Sequence, residues 1–165
     1  MDTFTQTIAC IALIGTGATA VMDAWLFLLK RLGVPTLDFA LLGRWVGHIA
    51  RGTWSHPAIA KAAPIRHETA LGWLAHYATG IAFAGVLVGA SGGEWARDPT
   101  LLPALLVGVA TVAAPWLVMQ PAMGAGIAAS RTPHPAANRL RSLANHTVFG
   151  IGLYLAAAFI ERTLK

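Results

Sequence analysis

Five polar side chains lie inside apolar stretches and are the residues best placed to do chemistry: Asp23, His76, Gln120, Asn145 and His146. An acid beside an imidazole can share a proton, and the charge of such a pair shifts with burial and pH. That chemistry suits a proton relay or a proton-linked carrier of a small molecule or ion. Asp23, His76 and His146 also have the ligand types of a two-His, one-carboxylate metal site. Neither His stands four residues from another ligand, so the spacing points to no metal. A haem held by both His would need more room than a small bundle offers. The same residues have a plainer use as hydrogen-bonding glue between membrane helices.

These residues need elements to carry them. The stretch 8–29, IACIALIGTGATAVMDAWLFLL, holds one charged residue, Asp23. At ~1.5 Å per residue it reaches about 33 Å, enough to cross a hydrocarbon core. Three more apolar segments follow, at about 69–90, 101–122 and 143–160. The third stays apolar as far as Ala129. Pro115 and Pro121 are expected to bend it, with the Gly124 and Gly126 end continuing as a separate turn. A broken helix at membrane depth needs protein or water for its freed carbonyls, so this bend is either a cavity wall or a packing kink.

Counted from the charged residues that end each segment, Asp23, His76 and His146 lie ~8–12 Å from one membrane edge, and Gln120 at most ~16 Å. The polar stripes Thr16–Thr19–Asp23, Gly72–His76–Thr79–Gly80 and Asn138–Ser142–Asn145–His146 should therefore turn inward, towards one polar pocket.

The 165 residues are 56% hydrophobic and 12% charged. Soluble domains carry about 25% charged residues, so lipid must cover part of this surface. The expectation is an all-α, integral membrane four-helix bundle in a single domain. A net charge of +5 hints at nucleic acid. The cations form no dense patch, however, and no nucleic-acid partner is expected. Nine of the twelve fall in the first and third connections, against three on the other side. By the positive-inside rule those connections are cytoplasmic and both termini periplasmic, as for a multi-pass protein of a bacterial inner membrane. Ala18-Thr19-Ala20 could pass for a signal cleavage site. No Lys or Arg precedes the apolar run, so it is expected to remain a membrane helix. Cys10, the one cysteine, excludes an internal disulfide.

The first connection is too long to be a simple link. Thr36-Leu37-Asp38 reads as a helix start, and Leu41, Leu42, Trp45, Val46 and Ile49 form an apolar stripe. Arg44, His48 and Arg51 recur on another face. This predicts an interfacial amphipathic helix at about 37–50, its cations on lipid head groups or, alternatively, its stripe on a partner protein. Gly85-x-x-x-Gly89 could drive a homo-oligomer or pack within the chain. No dinucleotide motif or nucleophile elbow appears. An Asp–His base acting on a lipid or quinone-like substrate is a third functional reading beside carrier and assembly subunit.

Several blocks resemble one family. They are Gly17-Ala18-Thr19-Ala20-Val21-Met22-Asp23, Leu41-Leu42-Gly43-Arg44-Trp45-Val46-Gly47-His48 and Gly72-Trp73-Leu74-Ala75-His76-Tyr77, followed by Met119-Gln120-Pro121 and Gly124-Ala125-Gly126 with Ser130-Arg131-Thr132-Pro133. Together they resemble a bacterial membrane-protein family known as domain of unknown function 2938. The resemblance implies an inner-membrane protein with about four spans, and it carries no activity, substrate or cofactor.

Overall fold

The computed structural model describes residues 3–164. Among them there is no strand. The main helices are α1 (Thr3–Arg31), α2 (Phe39–Ile49), α3 (Glu68–Ser91), α4 (Leu101–Ala110), a single turn α5 (Gln120–Ala122) and α6 (Pro135–Leu164). A π-helical stretch, Pro115–Met119, joins α4 to α5, so the third span runs from Leu101 to Ala122. Four helices are long and apolar enough to cross a membrane. On each, less than a third of the most apolar stretch is buried within the chain. Phe4, Phe27, Leu102, Leu106 and Phe159 are more than half exposed, a surface stable only in an apolar solvent.

Local chemistry sets the helix ends. Gly33, at φ +75°, closes α1: its N–H bonds the Lys30 carbonyl while the Val34 N–H reaches back to Leu29. That is the left-handed glycine cap, and Pro35 follows it. Asp38, the last residue of the expected Thr36-Leu37-Asp38 start, caps α2, its carboxylate accepting from the Ala40 N–H at 2.8 Å. The fourth helix begins about eight residues earlier than the predicted segment, at Pro135, because a proline suits a first helical turn and the polar residues that follow still favour helix.

The chain divides into two compact units, one of residues 3–34, 77–111 and 144–164, the other of residues 35–76 and 112–143. The first packs α1, α4 and parts of α3 and α6 around Ile14, Ala18, Leu87, Ala104, Phe149 and Leu153. Its helices approach closely at small residues. A Cβ on Gly150 would lie 3.0 Å from Leu105 Cα, a tight contact, and one on Gly15 would lie 2.5 Å from Ile81 Cα, closer than real contacts allow. The pair Gly85 and Gly89 is not used this way: around Gly89 nothing lies within 4 Å.

The second unit binds the long connection to α2. Gly43 lies so close to the Glu68 carbonyl and the Gly72 N–H that no side chain fits there. Leu42 is buried, and Ile65 and Leu71 pack at Gly47. This unit carries the protein's charge imbalance. Arg44, Arg51, Lys61, Arg66, Arg131, Arg139 and Arg141 face only Asp38 and Glu68, an excess of five positive charges. In the first unit acids and bases cancel.

Candidate functional site

The sequence-predicted site residues divide between the units: Asp23, Asn145 and His146 belong to the first, His76 and Gln120 to the second. In the first unit each is joined to a side chain of another helix. Tyr77, on α3, donates its phenol hydrogen to Asp23 Oδ2 on α1 at 2.8 Å. The Trp25 indole N–H, also on α1, donates to Asn145 Oδ1 on α6 at 2.9 Å. His146 Nδ1 lies 2.8 Å from the Thr111 hydroxyl at the end of α4. That hydroxyl's single hydrogen goes to the Gly108 carbonyl, 2.5 Å away. His146 must then donate from Nδ1, which leaves Nε2 with its lone pair. Thr19, one turn before Asp23, is buried and bonds its own helix at the Gly15 carbonyl. Thr16, on the same predicted stripe, is exposed instead.

In the second unit His76 packs its ring against Phe39 and Trp73, which stack on one another with centroids 4.0 Å apart. Gln120 Nε2 donates to the Ser142 hydroxyl at 3.4 Å, while its Oε1 is buried without a partner. The cations of α2 differ from expectation. Arg44 does not reach towards head groups; its side chain is 12% exposed and makes a two-pronged ion pair with Glu68, both bonds 2.9 Å. Its Nη1 also donates to the Ala60 and Ala62 carbonyls. Glu68 accepts from the Ile65 N–H as well, and the Arg44 guanidinium is held more firmly protonated by these bonds to Glu68. His48 Nε2 donates to the Ala63 carbonyl at 3.0 Å, and the Trp45 indole to the Trp54 carbonyl at 2.9 Å. Side chains of α2 thus fasten the connection that follows it, donating to four loop carbonyls, those of Trp54, Ala60, Ala62 and Ala63. Arg51 stays exposed.

Sequence reasoning missed Tyr77, Thr111 and Trp25 as partners. Tyr77 and Thr111 carried a usable signal: each is a hydroxyl-bearing residue inside an apolar span, where a polar tip needs a bond. Among the described residues no group of three or more His, Cys, Asp or Glu could hold a metal ion.

Four apolar helices with polar bonds between them, and a cationic second unit built on the long first connection, define a helical bundle of multi-pass membrane type. The chain belongs to the family described as Protein of unknown function (DUF2938), whose model matches residues 12–160. No curated protein and no solved structure matches it.

Proposed function

We propose that this protein is a small proton-linked carrier of a small molecule or ion in a bacterial inner membrane, with Asp23 as the proton-carrying group. The observation that carries the reading is the Tyr77–Asp23 bond inside two apolar helices. An acid in such a helix is costly and tends to mark a proton or ion path. The phenol offers the carboxylate a charge-assisted bond from a second helix. In this reading the Asp23 carboxylate carries the proton that is moved with the solute. Asn145 and His146 supply neutral acceptor and imidazole chemistry in the same unit. The five excess positive charges of the second unit support a cytoplasmic placement of the first and third connections, with both termini periplasmic.

The partner-docking reading of the 37–50 segment has less support. Part of α2 is used within the chain, where Leu42 of the stripe and the neighbouring Gly43 and Gly47 are buried.

The test is proton movement in proteoliposomes containing a pH-sensitive dye, driven by a potassium diffusion potential and repeated over a panel of small solutes. Wild type should move protons, faster with a transported solute. Asp23→Asn should abolish the movement and Asp23→Glu should retain part of it. Equal proton movement by wild type and Asp23→Asn would overturn the proposal.

A further inference from the structure

The second unit gathers cations that none of its acids answers. Asp38 is committed to the cap of α2 and Glu68 to Arg44. Among the described residues, Arg51, Lys61, Arg66, Arg131, Arg139 and Arg141 make no ion pair. All but the half-buried Arg141 are exposed.

The two connections that carry these cations are fastened to one another. The His56 N–H donates to the Ala122 carbonyl at 2.8 Å, and the Ile59 N–H donates to Met123 at 3.0 Å. The His56 and Pro57 carbonyls press against Gly124, at φ +95°, where any side chain would collide with them. The cations of the first connection thus belong to one compact body with the three arginines of the third. Bonds within the third connection hold its arginines in place. Arg139 Nε donates to the Ala128 carbonyl at 2.8 Å, which leaves both Nη groups uncommitted. Arg141 Nη1 donates to Asn138 Oδ1, and the Asn138 amide donates to the Thr132 hydroxyl. Arg131 lays its stem over Gly126, and its guanidinium makes no bond.

This body sits at the ends of spans. α3 begins two residues after Arg66, the third span ends at Ala122, and α6 begins four residues before Arg139. Large apolar side chains are exposed among the cations: Trp54 is 67%, Ile127 61% and Leu140 68% exposed. Leu140 stands between Arg139 and Arg141 in the chain, and Ile127 precedes the Ala128 that Arg139 grips.

That mixture selects a partner. A nucleic acid or an acidic protein would answer the charge and leave the apolar side chains in water. A phospholipid answers both: its phosphate accepts from guanidinium groups, and its acyl chains cover the apolar side chains beside them. A zwitterionic head group brings its own cation next to its phosphate, so an unanswered positive excess favours lipids of net negative charge.

We propose that this face of the second unit is a docking surface for anionic phospholipids, with phosphate groups on Arg131, Arg139 and the cations of the first connection. None of these residues belongs to the Asp23 unit, so the surface stands or falls apart from the proton reading.

The test places the whole protein in phosphatidylcholine bilayers with a trace of spin-labelled phosphatidylglycerol or spin-labelled phosphatidylcholine. Electron paramagnetic resonance reads how much of each label is held at the protein. Wild type should hold phosphatidylglycerol about fivefold more strongly, the worth of one cation at a charged surface. Raising the salt from about 0.1 M to about 1 M should remove most of that preference. The variant Arg51→Gln, Lys61→Gln, Arg66→Gln, Arg131→Gln removes only side chains that make no bond within the chain, and it should lose the preference. Its charge-keeping counterpart, with Arg51→Lys, Arg66→Lys and Arg131→Lys, should keep it, as should Arg97→Gln with Arg162→Gln in the first unit. Millimolar glycerol phosphate or a short oligonucleotide should leave the bound lipid in place. No preference in the wild type, an unchanged preference in the four-site Gln variant, an equal loss in the first-unit variant, or displacement by either soluble anion would each overturn the surface.

Discussion

At the scale of single residues, one hydroxyl decides how an imidazole is read. Thr111 gives its hydrogen to Gly108 and so obliges His146 to donate. Thr111→Val keeps the shape and removes the acceptor. It should destabilise the protein by about 1 kcal/mol, the order measured for polar bonds between membrane helices. Unfolding in mixed detergent would measure this, and 15N spectra of the wild type should show His146 protonated at Nδ1 and bare at Nε2. A His146 protonated at Nε2 in the wild type would contradict the bonding described. The sequence made His146 and Asp23 visible because charged or polar residues inside apolar runs stand out. Their partners stayed hidden. Tyr77 and Thr111 sit without strain in an apolar pattern, and which hydroxyl meets which polar group is set by helix rotation and register, which no spacing rule specifies.

Elements were far easier to read. Four apolar runs became four long helices, and Pro115 and Pro121 marked the bend that turned out to be π-helical. The ends were less legible, as at Pro135, because a cap or a first-turn proline decides them and not hydropathy. The close-packing glycines were also unclear in advance. Gly85-x-x-x-Gly89 has the familiar spacing, yet the tight approaches fall at Gly15, Gly43, Gly108 and Gly150. A paired series should separate them. Gly108→Leu drives a side chain into the backbone of Gly150 and should cost about 1–3 kcal/mol or more. Gly89→Ala meets nothing within 4 Å. It should be neutral or stabilise by about 0.5–1 kcal/mol through helix propensity. Thermal unfolding in detergent of the two variants side by side would check both signs.

For the whole molecule, the membrane class was legible from composition, and the uneven charge from the positions of twelve cations. Topology is the prediction that belongs here. A phosphatase reporter fused after α6 should be active on the periplasmic side, and a reporter placed in the first connection should be silent. Adding Lys at residues 92–93 while replacing Arg131, Arg139 and Arg141 with Gln should mix the two orientations; an unchanged pattern would count against charge as the determinant. What composition could not foretell is that a cation counted as an orientation signal also serves as a clasp. Arg44 grips α3 at Glu68 and the chain at Ala60 and Ala62, while its neighbours on α2 hold Ala63 and Trp54. A tilt of α3 at that end would therefore pull on the whole strap from Trp54 to Ile65, and neutralising one guanidinium would slacken it along its length.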